Sequence, residues 1–258
     1  MLKFIFGRPS SGKSYTMLEY IKKAQQAGEN SVLIVPEQYS FEAEKSVLHA
    51  VGERAALGVS VMSFSRIYDE VGRVVGGTAG RLLSDSDKII IMKRALKEAK
   101  EDLILWSKYT ASTSFAKSAL DIIGEFKINA VTPDMLRKTA DSVNSVSLKN
   151  KLVDTALIFE NYNMILGERF IDPADKLTKL YGKLEQFEFF KGKNVFIDSF
   201  KGFTGQQYKI IDKIFSQAKN VYICLNNDIH KDNEFGIYSN IQKTVERIKR
   251  SAAKSGVS

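Results

Sequence analysis

The stretch LKFIFGRPSSGKS, at residues 2–14, decides the fold of this chain. A short apolar run precedes GRPSSGKS, which fits the pattern G-x-x-x-x-G-K-[ST] in full. The pattern is specific where a strand leads into it and a helix follows, because the loop then presents backbone N–H groups at a helix N-terminus. The apolar run predicts that strand, and residues 13–27 predict that helix. An α/β fold of the P-loop NTPase class is therefore expected.

Each residue type in this loop suits the binding of a nucleoside triphosphate. Backbone N–H groups from Ser10 to Ser14 are expected to wrap the β-phosphate, where the helix N-terminus adds positive potential. Gly12 allows the backbone to approach closely, Lys13 reaches the β- and γ-phosphates, and the Ser14 hydroxyl ligates Mg²⁺. The predicted cofactors are thus ATP and Mg²⁺. The candidate nucleotide-binding residues are Gly7, Ser10, Ser11, Gly12, Lys13 and Ser14.

Strand and helix patterns alternate across residues 1–83. SVLIV at residues 31–35 and VSVM at residues 59–62 are β-branched runs that predict buried strands joined by helices, hence a parallel sheet. Residues 84–190 instead show apolar spacings of three and four, which predict an all-helical insertion. The α/β pattern returns in residues 191–258. These three segments are the predicted domain boundaries.

The run NVFID at residues 194–198 is an apolar strand that ends in a carboxylate. This is the Walker B pattern, and it makes Asp198 the candidate second metal residue beside Ser14. Helicase-type ATPases that hydrolyse ATP usually carry Glu at the next position, where it orients and deprotonates the attacking water. Here that position is Ser199, a poor base at neutral pH. Hydrolysis is therefore expected to be slow or absent.

Composition excludes several classes of protein. The 258 residues are 44% hydrophobic and 26% charged, which is typical of a globular chain rather than a disordered one. The single Cys cannot form an internal disulfide or hold an iron–sulfur cluster by itself. No apolar run approaches the ~18–20 residues of a membrane span, so no membrane partner and a cytoplasmic location are expected. The net charge of +8 invites a nucleic-acid partner, although half of the excess lies in residues 239–258.

Four motifs together carry a family resemblance. GRPSSGKS is joined by VPEQYSF at residues 35–41, MSFSR at residues 62–66 and IDSF at residues 197–200 with GFT following closely. Together they resemble the N-terminal part of the AddB (RexB) family, the B subunit of the ATP-dependent helicase/deoxyribonuclease. Two departures stand out: Pro9-Ser10 replaces the more usual Ala-Gly, and Ser199 stands where the family usually has Gly.

The resemblance implies a superfamily 1 helicase-like, RecA-like domain 1A, formed by residues 1–83 and 191–258 and interrupted by the helical domain 1B at residues 84–190. It implies that the chain stops before a second RecA-like domain and before a nuclease domain that holds an iron–sulfur cluster. The implied partners are an AddA-type helicase–nuclease subunit, in a heterodimer, and single- and double-stranded DNA. The implied role is in double-strand break repair and recombination.

By the same resemblance, this part of the protein binds or scans single-stranded DNA. The candidate DNA-binding residues are Gln38, Ser63, Phe64 and Arg66. Phe64 has two interpretations that the sequence does not separate: it stacks on a base, or it is the first core residue of its helix. The apolar residues of the helix that Ser40 opens, Phe41 among them, are expected to face the core.

The resemblance makes the full-length protein an enzyme, whereas this stretch is expected to bind ATP without appreciable turnover. Two other functions remain open from the residues alone. One is a self-standing P-loop kinase that acts on a small molecule, and the other is an assembly module with a vestigial ATP site.

Overall fold

The computed structural model describes residues 1–77, 80–167, 169–227 and 239–257. Its strands are β1 (Leu2–Gly7), β2 (Ser31–Ile34), β3 (Val59–Met62), β4 (Arg81–Leu82), β5 (Phe170–Ile171), β6 (Asn194–Ile197) and β7 (Asn220–Asn226). Its helices are α1 (Lys13–Gln26), α2 (Ser40–Val51), α3 (Glu53–Ala56), α4 (Phe64–Val75), α5 (Asp85–Ala99), α6 (Thr113–Ile128), α7 (Pro133–Ser142), α8 (Val146–Leu166), α9 (Lys176–Gln186), α10 (Gly205–Gln217) and α11 (Ser239–Lys254). Short 3₁₀ turns lie at Glu37–Tyr39, Lys100–Asp102, Ser107–Tyr109 and Pro173–Asp175.

Five strands form one sheet in the order β1-β7-β6-β2-β3, and every neighbouring pair is parallel. Every residue of β2 and β6 is buried, as expected for central strands covered on both faces. The predicted α/β class with a parallel sheet is confirmed. Because all five strands run the same way, their carboxyl ends share one edge, where such sheets place ligands.

Contacts divide the chain into two compact units, of which the first comprises residues 1–75, 179–203 and 207–258. It contains the five-stranded sheet and a core between that sheet and helices α1 and α2. Met17 and Ile21 lie four residues apart on α1 and therefore on one helix face, and they are 1% and 0% exposed. Burying each such side chain stabilises the fold by about 1.5–3 kcal/mol. This burial holds the first turn of α1 at the carboxyl edge of the sheet.

The second unit comprises residues 76–178 and 204–206. Its core lies among helices α5, α6, α7 and α8, and β4 pairs with β5 in a separate parallel ladder. Each of the four helices begins with a side chain that accepts a hydrogen bond from the first turn, which satisfies an otherwise orphaned N–H. These caps are Ser84, Ser112, Thr132 and Ser145. No helix in the described ranges is both long and apolar enough to cross a membrane.

A buried ion-pair network lies inside the second unit. The Lys127 ammonium donates to Asp172 at 2.9 Å and to Asp175 at 2.7 Å, and the side chains of Lys127 and Asp172 are 3% and 7% exposed. Tyr162 donates its hydroxyl to Asp172 at 3.2 Å. Burial alone would raise the pKa of Asp172, but the Lys127 charge and the hydrogen bonds to this carboxyl outweigh it and hold the pKa below its usual value. Burial and the Asp172 charge raise the pKa of Tyr162.

Candidate nucleotide-binding site

The loop between β1 and α1 folds tightly over Gly7. A Cβ atom at Gly7 would lie 2.2 Å from the Ser11 hydroxyl oxygen and 3.1 Å from Cγ of Lys13, so a side chain there would displace both. Gly12 has φ +85°, in the left-handed region that glycine adopts without steric cost. Ser10 also has a positive φ, of 60°. The loop thus has the compact backbone that the glycine positions of its motif require.

Helix α1 begins differently from the capped helices of the second unit. Its N-cap is Gly12, which supplies no side-chain hydrogen bond, and its first turn contains no acidic residue. The first N–H groups of a helix need an external acceptor when no cap provides one, and they favour an anion. Ser10, Ser11, Gly12 and Ser14 are exposed at this end. The N-terminus of α1 therefore retains both the donors and the access that a phosphate needs.

The Lys13 side chain folds back over the loop rather than extending into solvent. Its ammonium donates to the Arg8 carbonyl at 2.6 Å, and the Ser11 N–H donates to the same carbonyl at 3.2 Å. An ammonium held by a single backbone carbonyl keeps two donors for other acceptors. Lys13 thus lies at the loop with capacity to bind an anion.

The two predicted metal residues meet although they are far apart in the sequence. The Ser14 hydroxyl donates to Oδ2 of Asp198 at 2.8 Å. Asp198 follows β6, and its backbone N–H donates to the Ile34 carbonyl of β2, which fixes it at the carboxyl edge. Its other oxygen, Oδ1, accepts from the Ser199 N–H at 2.7 Å. Asp198 is therefore anchored on both sides with one oxygen turned to the loop.

This pair fits Mg²⁺ bound together with a nucleotide. In the described part of the chain, no group of three or more His, Cys, Asp or Glu residues is placed to hold a metal alone. Mg²⁺ commonly takes one or two protein oxygens and completes its shell with substrate phosphates and water. A hydroxyl and one carboxylate, both open to solvent, are a donor set of that kind.

A cavity of about 260 Å³ opens beside this pair. Ser14, Asp198 and Ser199 line its polar side, and the buried side chains of Met17 and Leu33 are part of its apolar side. Ser14 and Asp198 therefore border open space rather than packed core.

The four DNA-binding candidates differ in accessibility. Gln38 and Arg66 are exposed, and Arg66 pairs with Glu44 at 2.8 Å. Ser63 is 4% exposed; it donates to Glu37, and its oxygen accepts from the Arg66 N–H at the start of α4. Ser63 therefore has a structural role as a helix cap. Gln38 and Arg66 keep the access that contact with DNA requires.

Phe64 is a core residue, which is the second of the two interpretations that its sequence left open. It is 4% exposed and packs edge-on against Phe200, with the ring centroids 5.6 Å apart. A base has no access to this ring face without rearrangement of the packing. Sequence periodicity left this choice open because the first residue of a helix can face either way.

Exposed aromatic side chains occur at the same edge of the sheet. Tyr15, Tyr39 and Phe41 are 70%, 46% and 77% exposed. The expectation that Phe41 faces the core is wrong: Val47, which is buried, lies six residues along α2 and thus roughly 240° around the helix. That angle was available from the spacing alone.

Comparisons with known proteins agree with one another. The family model described as "ADDB, N-terminal" matches residues 4–258. The B subunit of the ATP-dependent helicase/deoxyribonuclease of Clostridium kluyveri is 38% identical over 88% of this chain. Proteins of the same name from Thermoanaerobacter sp. and Clostridium acetobutylicum are 33% and 34% identical over 100% of it. The chain spans 20–23% of the length of these relatives.

Proposed function

The chain belongs to the AddB N-terminal family, and from this premise we propose that it is the nucleotide-binding, helicase-like domain of the B subunit of a helicase/deoxyribonuclease. In this proposal the sheet-containing unit is the RecA-like P-loop domain 1A, and the helical unit is domain 1B. The observation that carries the nucleotide role is the 2.8 Å contact between Ser14 and Asp198, beside a G-x-x-x-x-G-K-S loop at an uncapped helix N-terminus.

Different groups of the site bind different parts of Mg-ATP. Backbone N–H groups of the loop and the first turn of α1 donate to the β-phosphate, and Lys13 leaves the Arg8 carbonyl to pair with the β- and γ-phosphates. Ser14 and Asp198 would hold Mg²⁺ when it enters with the nucleotide. Bound there, the metal neutralises negative charge on the phosphates. Asp198 orients the Ser14 hydroxyl before the ligand arrives.

ATP turnover by this chain is expected to be no faster than the assay background, with or without single-stranded DNA. The side chain after Asp198 is Ser199, which is a poor base and does not deprotonate water at neutral pH. A coupled steady-state assay at saturating Mg-ATP measures this. DNA-stimulated turnover near ~1 s⁻¹, an ordinary enzyme rate, would contradict the prediction.

The single-stranded DNA contact in this proposal lies at the carboxyl edge of the sheet. Gln38, Phe41 and Arg66 are exposed in segments that follow β2 and β3, and Phe41 offers an apolar ring face to solvent. A stacked base contributes about 1–3 kcal/mol to binding. Removing an arginine that contacts a phosphate weakens the binding of all DNA sequences equally. This contact would therefore be sequence-independent and sensitive to salt.

Phe41→Ala is expected to weaken single-stranded DNA binding by about 5- to 150-fold, since a lost stack costs about 1–3 kcal/mol. Fluorescence anisotropy with a labelled oligonucleotide of mixed sequence at two salt concentrations measures the loss. The matched control is Leu57→Ala: Leu57 is 90% exposed but precedes β3, at the amino edge of the sheet. Equal affinity of the two variants would place the DNA path elsewhere.

The assembly role follows from the names of the relatives, which describe each of them as one subunit of an enzyme. We propose that the chain acts beside an AddA-type helicase–nuclease subunit, in double-strand break repair and recombination. An iron–sulfur cluster is proposed to lie outside this chain, because a cluster needs several Cys ligands and the chain has one, Cys224, which is 2% exposed. Burial and the nearby Asp198 charge also raise the pKa of the Cys224 thiol, which disfavours the thiolate. In the described residues, no observation favours the alternative of a small-molecule kinase.

A further inference from the structure

A cleft lined by lysines lies in the helical unit and shares no residue with the loop and metal pair described above. It has a volume of about 700 Å³. Lys93, Lys97 and Lys100 line one wall, and Lys108 with Ser107 and Thr110 lines the other. We call it the lysine cleft.

Lys93 and Lys97 on α5, and Lys100 directly after it, project from one face of the helix. Positions 93, 97 and 100 are spaced by four and three residues, which places their side chains on one face over about 10 Å of axis. The adjoining face of α5 is apolar and buried, with Met92, Ala95 and Leu96 each 0% exposed. The packing of that face fixes the direction in which the lysines project.

The second wall is held in place by a buried carboxylate. Asp154 is 0% exposed and accepts three backbone N–H groups, from Ile104 at 2.9 Å, Leu105 at 2.8 Å and Trp106 at 3.2 Å. The Ser107–Tyr109 turn follows directly, so the carboxylate sets where Lys108 begins. The cleft is therefore a feature of ordered backbone and not a chance meeting of long side chains.

The positive charge of the lysine cleft is mostly uncompensated. Within the described ranges, Lys93, Lys97 and Lys108 have no ion pair, and Lys100 approaches Glu101 at 3.9 Å. The nearby Glu98 is already paired with Arg94 at 2.9 Å. Unpaired ammonium groups gathered in one concave site raise the local positive potential and attract a polyanion.

We propose that the lysine cleft binds the phosphodiester backbone of DNA. Its charge extends over about 10 Å, further than one phosphate group spans. Lysine acts as a compact point charge without the planar fork that reads a base edge, and the lining residues include no aromatic ring for stacking. Such a surface contacts phosphates and carries no sequence preference. The proposal rests on the DNA role proposed above and adds a second contact, in the helical unit.

The test is a triple variant, Lys93→Gln, Lys97→Gln and Lys108→Gln, in the full 258-residue chain. The control variant carries Lys117→Gln, Lys138→Gln and Lys151→Gln, which remove the same charge from exposed positions of the same unit outside the cleft. Anisotropy titrations with a labelled single strand and with a labelled duplex, each at several salt concentrations, measure affinity and its salt dependence. ATP binding by the same proteins is measured by calorimetry.

The cleft variant is expected to bind DNA at least tenfold more weakly than the control variant at low salt. A plot of log K against log salt has a negative slope, and the magnitude of that slope should decrease by about 2 for the single strand or by about 3 for the duplex. Each of the three lost phosphate contacts removes ~0.7 or ~0.9 respectively. The arm with the larger loss identifies the DNA form that occupies the cleft. Unchanged ATP affinity separates this result from a failure of the nucleotide site.

Equal losses in the two variants would mean that only total charge matters and would overturn the proposal. Unchanged DNA affinity of the cleft variant would also overturn it. So would loss of inorganic phosphate binding, measured by the same calorimetry, without loss of DNA binding, because the cleft would then be a small-anion site. If DNA affinity fell in the Phe41→Ala variant but not in the cleft variant, the chain would still bind DNA but the lysine cleft would not contribute to that binding.

Discussion

Lys13→Ala is expected to reduce the affinity for Mg-ATP by at least about 10- to 150-fold. Lys13 supplies the ammonium held at the loop, and a hydrogen bond to a charged partner contributes about 1.5–3 kcal/mol. In calorimetry the loss should bring binding below detection. The backbone should be unaffected, because the Lys13 side chain is partly exposed and, among the described residues, its tip donates to the Arg8 carbonyl alone.

Lys22→Ala is the matched control, since Lys22 lies on the same helix, is exposed, and is remote from the loop. Asp198→Asn tests the proposed metal-binding role of Asp198. The substitution should weaken ATP binding in the presence of Mg²⁺, and it should leave ATP binding in EDTA, which is weaker, unchanged. Equal Mg-ATP affinity in wild type and Lys13→Ala would contradict the nucleotide role. The assembly module with a vestigial ATP site would then be the better description.

Asp172→Ala is expected to reduce the free energy of unfolding by about 1.5–3 kcal/mol. The substitution removes the carboxylate that accepts from the buried Lys127 ammonium and from the Tyr162 hydroxyl, and losing a hydrogen bond to a charged group costs about this much, while Asp175 keeps the ammonium paired. Glu98→Ala breaks the exposed Arg94–Glu98 pair and should cost no more than about 0.5 kcal/mol. Urea denaturation followed by circular dichroism measures both. A loss below ~1 kcal/mol for Asp172→Ala would contradict the prediction.

The same carboxyl gives a pH dependence with a defined sign. Because the pKa of Asp172 is lowered in the folded state, its contribution to stability is fully present above the unfolded pKa of about 3.9. That contribution is lost as the pH falls through the lower, folded pKa. In Asp172→Asn this part of the acid dependence should be missing, so the difference in stability from wild type should shrink below about pH 3.9.

The part of the fold that depends on local pattern could be predicted from the sequence. The motif at residues 7–14 predicted a strand, a tight loop and a helix, and the strand-end position of Asp198 placed it at the same edge as Ser14. Carboxyl ends of parallel strands share an edge whatever the strand order, so that pairing did not require the order. The order itself, with β7 between β1 and β6, depends on packing between distant segments and has no local signal.

Side-chain direction was harder to predict than backbone class. Phe64 lies in the core because Phe200 packs against it, and Phe200 is remote in the sequence. The lysine cleft was missed for a similar reason. The spacing of Lys93, Lys97 and Lys100 is visible in the sequence, but the wall that carries Lys108 is placed by Asp154, about fifty residues away.

The strand order also has a consequence for the timing of folding during translation. Leu2 of β1 pairs with Val221 of β7, so β1 leaves the ribosome about 220 residues before its neighbour in the sheet exists. At ~5–20 residues per second, that interval lasts roughly 10 to 45 s. During that interval the apolar FIF segment of β1 and the loop that follows it lack the neighbouring strand β7. The contacts among helices α5 to α8, in contrast, can form once residue 166 has emerged. Nascent chains are therefore most exposed to aggregation while the last strands are still being made.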